Sequence, residues 1–206
     1  MRRLRSDTLL EVEPGPAVTL RERARRYSPA QRRTISAALE LFADRGVGGT
    51  SLQMIADSLG VTKAAVYHQF KTKESIMLAV AEVELERLVE ALDAAEAEGT
   101  SLAAREALLS KVIDVVLERR RALSTLQHDP VLVRLLGEHE PFRRLWVRLF
   151  TVLLGGETGA PARVRAAALS AAIGGAVVHP FVQDLDNETL RAELLQVIRR
   201  LILLPG

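Results

Sequence analysis

Cationic and hydroxyl side chains recur at helical spacing just beyond the first quarter of the chain. Thr62 is suited to cap a short helix, and Lys63, Tyr67 and His68 follow on one side of it. Lysine can donate to guanine acceptors, and hydroxyl and cationic groups donate to phosphate oxygens. A helix that presents such groups outward suits the major groove of DNA.

The surrounding residues predict two short helices joined by a tight turn. Thr50 is the expected cap of the first helix, whose apolar face runs from Leu52 to Leu59. Gly60 supplies the stop, because glycine enters the left-handed conformation freely. The second helix has roughly two turns, too few for stability in isolation, so its apolar face must pack against its neighbours.

A longer helix precedes this pair. Ser28, Pro29 and Gln31 form a capping signature, and Arg45-Gly46 ends the helix. The run LFADRG followed by TSLQMIADSLGVTKAAVYHQFKTKE resembles the DNA-binding domain of the TetR family of bacterial transcriptional regulators. The rest of the chain matches that family only in length and helical character.

The resemblance implies a regulator, expected to be a repressor, that binds a palindromic DNA operator as a homodimer and is released by a small, mostly apolar effector. We expect phosphate contacts and base contacts to come from two sets of residues. The phosphate set is Thr50, Thr62, Tyr67, His68 and Lys73, and the base-facing set is Lys63, Ala64 and, less directly, Ala65.

Charge is divided unevenly along the chain. Residues 1–75 contain 13 Lys+Arg and 8 Asp+Glu, a net of +5, whereas residues 76–206 contain 15 and 18, a net of −3. Such a division suits phosphate contact at one end only. Residues 1–27 read as a basic, disordered arm, with a specific minor-groove arm as the alternative.

Composition excludes several classes of protein. The chain has no cysteine, which excludes disulfides and thiolate chemistry. The start of the chain has no apolar stretch of signal-peptide length, and no run resembles a membrane span, so a soluble, cytoplasmic protein is expected. No nucleotide-binding, metalloprotease or hydrolase motif is present, so neither an enzyme, a cofactor nor a metal site is expected.

Three parts are predicted for this all-α chain: the arm, a helix–turn–helix domain at 28–75, and a helical effector-binding and dimerisation domain at 76–206. Arg119, Arg120 and Arg121 read as the solvated end of a long helix. The family resemblance implies an apolar cavity between the central helices. The candidate pocket residues are Ile113, Leu117, His128, Phe142, Trp146, Phe150, His179 and Phe181.

The last two helices carry small and aliphatic residues suited to close helix packing. Some of these residues must serve the protomer's own core, but the resemblance implies a two-helix contribution to a four-helix dimer interface. The candidate interface residues are Ala167, Ala171, Gly174, Gly175, Leu194, Ile198 and Leu201. A different class of protein stays open: a helical interaction module whose basic end binds an acidic protein partner.

Overall fold

The computed structural model describes residues 20–99, 101–122 and 129–203, within which every regular element is helical. The expected all-α fold is therefore confirmed for this part of the chain. The helices are α1 (Leu20–Arg26), α2 (Pro29–Arg45), α3 (Leu52–Leu59), α4 (Lys63–Gln69), α5 (Lys73–Glu84), α6 (Glu86–Ala97), α7 (Leu102–Glu118), α8 (Pro130–Glu138), α9 (Glu140–Leu153), α10 (Gly159–Ala176) and α11 (Asn187–Leu203), with a 3₁₀ turn at Pro180–Val182. Within the same residues, no helix is long and apolar enough to cross a membrane.

Local capping fixes where the N-terminal helices begin. Ser28 and Gln31 form the expected reciprocal capping box at the start of α2. The cap of α3 is Ser51, whose hydroxyl accepts from the backbone N–H of Met54 at 3.2 Å, and not Thr50 as the sequence suggested. Gly60 ends α3 at φ 64°, the left-handed conformation expected for it.

The helix–turn–helix unit has its own core and extends beyond the expected boundary at residue 75. Ile76 and Val80 of α5 pack with Phe42, Ile55 and Val66 in one buried cluster. Because the first two turns of α5 complete this core, the boundary with the second domain falls near Leu85, where α5 gives way to α6.

A second, larger core is built from α6, α7, α9, α10 and α11. Leu92, Leu108, Ile113 and Phe142 are fully buried in it, and Ile198 closes it from α11. Helix α8 contacts both cores, since Val131, Leu132 and Leu135 pack against the N-terminal cluster and Leu136 packs against the larger core. The C-terminal domain therefore contacts the helix–turn–helix unit through α8.

Part of the expected disordered arm is helical. Leu20 and Ala24 of α1 are buried, and Arg23 Nε donates to Glu82 Oε1 at 2.5 Å. The Tyr27 hydroxyl also donates to Glu82, and burial together with this bond raises the pKa of Tyr27 above its ordinary value. These contacts hold α1 across the junction of α5 and α6. Residues 1–19 of the expected arm lie outside the described residues.

The three consecutive arginines after α7 are paired and are not simply a solvated helix end. Arg119 forms an ion pair with Glu84 of α5, and Arg121 forms one with Asp44 of α2. Arg120 donates to the carbonyl oxygens of Val177, Val182 and Leu185, and these hydrogen bonds hold the turn after α10 in place. Two of the three arginines therefore join the two domains, because their partners belong to the N-terminal unit.

Replacing Glu82 by glutamine should lower the free energy of unfolding by about 2–3 kcal/mol, because Glu82 is fully buried and Arg23 then loses its charged partner. Equilibrium denaturation of the purified protein measures this loss. Glu90→Gln is the matched control: its partner Arg21 lies at 2.9 Å on the surface, and an exposed pair contributes about 0.2–1 kcal/mol. Equal losses in the two variants would show that the Glu82 contacts do not anchor α1.

Candidate nucleic-acid interface

The seven-residue helix α4 is held on its inner side by tertiary contacts. Val66 is fully buried, and Phe70, which ends the helix, is 5% exposed. The buried hydroxyl of Thr34 in α2 donates to Gln69 Oε1 at 3.0 Å. These contacts fix both the position and the rotation of α4, which is too short to be stable alone.

The outer side of α4 carries most of the residues expected to contact DNA. Thr62 caps the helix by accepting from the N–H of Ala65 at 3.2 Å. Lys63, Tyr67 and His68 are exposed, with Tyr67 half accessible to solvent. Ala64 is also exposed, whereas Ala65 is half-buried. The structure therefore brings five of the eight candidates together on one accessible surface, with a sixth, Ala65, half-buried beside them.

The remaining two candidates, Thr50 and Lys73, have internal partners, so we expect them to support the interface from within the domain rather than to bind phosphate directly. Thr50 is 2% exposed, and its hydroxyl lies 2.9 Å from the carbonyl oxygen of Gly46, to which it donates. Lys73 Nζ donates to the carbonyl oxygens of Val47 at 2.6 Å and Thr50 at 3.1 Å. Both residues fold the loop between α2 and α3 and so position the helix–turn–helix pair indirectly.

Lys71 is a cation that the sequence reasoning did not select. Its Nζ lies 4.7 Å from the centroid of the Tyr67 ring, within the range of a cation–π contact. Lys71 is exposed and directly follows α4. Its position between α4 and α5 was the only sequence feature that could have selected it, and Lys73, two residues later, shares that feature.

The eight candidate pocket residues do not form one site. Trp146 borders an apolar cavity between the two domains, and the ring of Phe150 stacks on it at 6.2 Å between centroids. The other described candidates lie elsewhere: Ile113, Leu117 and Phe142 are buried in the core, while His179 and Phe181 are exposed on the turn after α10. His128 lies outside the described residues.

The candidate dimer residues divide between the surface and the protomer core. Ala167, Ala171, Gly175 and Leu201 are exposed, and Gly174 is half-buried. Leu194 is 7% exposed and Ile198 is fully buried, so both belong to the core of the protomer and are corrected as interface candidates. The sequence could not separate the two faces of α11, because both carry aliphatic residues.

The two nearby lysines should behave differently when each is replaced by alanine. Lys71→Ala should weaken binding to all duplex DNA and reduce the slope of log affinity against log salt by roughly 0.9, the value of one phosphate contact. Lys73→Ala should leave that slope unchanged and lower the free energy of unfolding by about 1–3 kcal/mol, because its ammonium group holds two loop carbonyls. DNA titrations at several salt concentrations measure the slope, and equilibrium denaturation measures the stability. A smaller slope for Lys73→Ala together with lower stability for Lys71→Ala would reverse the roles assigned to the two lysines.

Comparison with known proteins identifies the N-terminal domain. Residues 35–80 match the family model for "Bacterial regulatory proteins, tetR family". The chain is 32% identical over 133 residues to the HTH-type transcriptional repressor KstR2 of Mycolicibacterium smegmatis, covering 58% of this chain and 63% of that protein. It is 36% identical over 66 residues to the HTH-type transcriptional regulator RutR of Escherichia coli K12, covering 32% of this chain and 31% of RutR. The matched segments thus span less than two thirds of each relative.

Solved structures show the likeness over more of the chain. NalD of Pseudomonas aeruginosa, described as the secondary repressor of the MexAB-OprM multidrug efflux pump, is 26% identical with a TM-score of 0.55, covering 83% of this chain and 95% of NalD. A protein from Aquifex aeolicus VF5, described as a transcriptional regulator of the TerR/AcrR family, is 17% identical with a TM-score of 0.64. The match covers 83% of this chain and 98% of that protein, and it shows the fold alone. The helix–turn–helix domain of this chain is therefore similar to that of the tetR family of bacterial regulatory proteins.

Proposed function

We propose that this protein is a DNA-binding transcriptional regulator that acts as a homodimer. The observation that carries the proposal is the surface of α4, where a cation, a phenol and an imidazole are exposed on a helix whose inner side is fixed by the domain core. A rigid helix with outward donors is the arrangement that reads the major groove.

Roles follow from position along α4. Lys63 and Ala64 lie in its first turn, where a recognition helix contacts base edges, and lysine donates to guanine while a methyl group contacts thymine. Tyr67, His68 and Lys71 lie toward its end and suit the phosphate backbone. The exposed hydroxyl of Thr62 is a further phosphate donor, and Ala65 is set back from the surface.

Repression, relieved by a small and mostly apolar molecule, completes the proposed function. Two of the similar proteins, KstR2 and NalD, are described as repressors. The alternative, an interaction module whose basic end holds an acidic protein, loses support because three of the four arginines of α1 already have acidic partners. Arg21 pairs with Glu90, Arg23 with Glu82 and Arg25 with Glu86.

Selection of bound fragments from a random duplex pool tests the function. The wild-type protein should enrich a two-fold symmetric site with half-sites one helical turn apart or a multiple of it. Lys63→Ala should relax preference at one base position in each half-site, at a cost of about 1–3 kcal/mol for the preferred sequence. His68→Ala is the control, since it should weaken binding to DNA without changing which DNA sequence is preferred. Enrichment of no common site would contradict the proposal.

The proposed dimer uses the exposed faces of α10 and α11. On α10, Val164, Ala168, Ala171 and Gly175 recur at helical spacing and are all exposed, with Val164 at 68%. On α11, Val197 is 53% exposed and Leu201 is 40% exposed, four residues apart. Small residues on α10 allow a second helix to approach closely, and the aliphatic residues of α11 supply apolar area to bury.

Ala171→Arg should convert the protein to a monomer, because an added long, charged side chain cannot be buried in a close helix contact. Sedimentation analysis measures the mass, and titration with a selected duplex should show at least a tenfold loss of affinity with weak, salt-sensitive binding remaining. Ala103→Arg, at an exposed alanine of α7, is the control and should stay dimeric. A dimeric, tightly binding Ala171→Arg variant would place the interface elsewhere.

A further inference from the structure

Helix α1 crosses the junction between the two domains. Leu20 at its start is buried in the larger core, whereas Tyr27, directly after its end, packs against the N-terminal cluster. The ring centroid of Tyr27 lies 6.1 Å from that of Phe70, the residue that ends α4. Helix α1 therefore contacts both domains and reaches the base of the helix proposed to read DNA.

One buried carboxylate, that of Glu82 in α5, anchors α1. Arg23 Nε donates to Glu82 Oε1 at 2.5 Å, and the Tyr27 hydroxyl donates to Oε2. His139, at the corner between α8 and α9, places its Nε2 3.8 Å from the same Oε1. That distance is too long for a hydrogen bond. The imidazole therefore lies beside an oxygen that Arg23 already occupies.

The surroundings of His139 disfavour a proton on its ring while α1 is in place. The side chain is 16% exposed, and its Nδ1 is buried with no hydrogen-bond partner among the described residues. The ring packs against that of Phe142, with 5.1 Å between centroids. Burial, followed by the charge of Arg23, lowers the pKa of His139 below its ordinary value, although Glu82 acts in the opposite direction.

The other titratable groups near this imidazole already have their own surroundings. Tyr27 of α1 stays uncharged, because burial and its bond to the same carboxylate raise its pKa. On the elements that meet at the corner, Glu138 is exposed, and Glu140 pairs within α9 with Arg143 at 3.5 Å and Arg144 at 2.9 Å. The buried carboxylate of α5 is therefore the group that a proton on Nε2 would face.

We propose that α1 is an acid-sensitive strap across the two domains. When His139 takes up a proton from solvent, its Nε2–H displaces Arg23 from the Glu82 oxygen, α1 is released, and affinity for DNA falls. Arg23 can leave because its side chain is 41% exposed and can return to water, whereas a buried imidazolium without a partner would be costly. The last step rests on the DNA-binding function proposed above.

The direction of the pH effect follows from the linkage between proton binding and attachment of α1. Attachment keeps the pKa of His139 below its ordinary value, and release removes both the charge of Arg23 and part of the burial. Release therefore raises that pKa, so protons favour the released form. Attachment is strongest above about pH 6.5 and weakens as the pH falls below it, by at most about tenfold per pH unit for one proton.

Hydrogen exchange of the α1 amides in the full chain tests the release without DNA. After correction for the intrinsic pH dependence of exchange, lowering the pH from 7.5 to 5.5 should increase the opening of α1 roughly three- to tenfold. His139→Gln and His139→Phe, which cannot take up this proton, should change by less than about twofold. His179→Gln, at an exposed histidine on the turn after α10, is the control and should respond as the wild type does.

Two outcomes of this experiment would overturn the strap. One is an equal pH response in the wild type and in both His139 variants, which would assign the release to other groups. The other is a wild type whose α1 amides are equally protected at both pH values.

A reciprocal measurement separates competition for Glu82 from a purely structural role of His139. Arg23→Gln removes the competing cation, so the pKa of His139, followed by NMR titration of its imidazole, should rise toward the ordinary value for histidine. Arg26→Gln, at an exposed arginine of the same helix, is the matched control and should leave it unchanged. The same pKa in the wild type and in Arg23→Gln would overturn the competition.

Binding to a selected duplex tests the last step. Between pH 7.5 and pH 5.5, the affinity of the wild type should fall at least threefold further than that of His139→Gln. His68 on the proposed DNA-binding surface is present in both proteins, so the difference between them isolates His139. Equal changes would overturn the effect of the strap on DNA binding. A wild type that binds no duplex at either pH would instead contradict the proposed function.

Discussion

The dependence of α4 on its neighbours is the constraint from which the rest of the N-terminal domain follows. A helix of seven residues has too few internal hydrogen bonds to offset the cost of nucleation. Its order comes from burying Val66 and Phe70 in the core shared by α2, α3 and α5. The outer side stays free for polar groups because the inner side alone supplies the packing.

The loop before α3 likewise depends on contacts with the rest of its domain. Thr50 and Lys73 are polar residues whose donors are used inside the domain, where otherwise unpaired carbonyl oxygens would destabilise the fold. Lys71, two residues from Lys73, has no such internal carbonyl partner in the described contacts and remains at the surface beside Tyr67. The two nearby lysines differ because α5 begins at Lys73. The helical start turns the Lys73 side chain toward the loop carbonyls and leaves the Lys71 side chain at the surface.

The two domains are joined by charged contacts around an apolar space. Arg119 and Arg121 reach Glu84 and Asp44 across the junction, and α1 is anchored at Glu82 on another side of α5. Helix α8 adds aliphatic contacts to the N-terminal core. A junction that combines partly exposed ion pairs with an incompletely filled apolar interior can rearrange at less cost in free energy than a close-packed core.

The sequence by itself determined the helical class, the start of α2, the end of α3 at Gly60 and the residues on the outer face of α4. These depend on local signals: the capping box at Ser28, the left-handed Gly60 and the apolar spacing of α3 are all encoded within a few positions. The sequence also indicated a resemblance to the tetR family, because these signals occur in the same order in the DNA-binding domain of that family.

Tertiary structure alone decided which polar and aliphatic groups face inward. Thr50 and Lys73 look like surface donors until the loop carbonyls come within reach, and Leu194 and Ile198 look like interface residues until α11 is docked on α7. Arginines of α1 and of the run after α7 likewise acquire partners from 35 to 77 positions away. Such contacts depend on long-range packing, which no local spacing specifies, whereas caps and turns depend on the immediate neighbours of each residue.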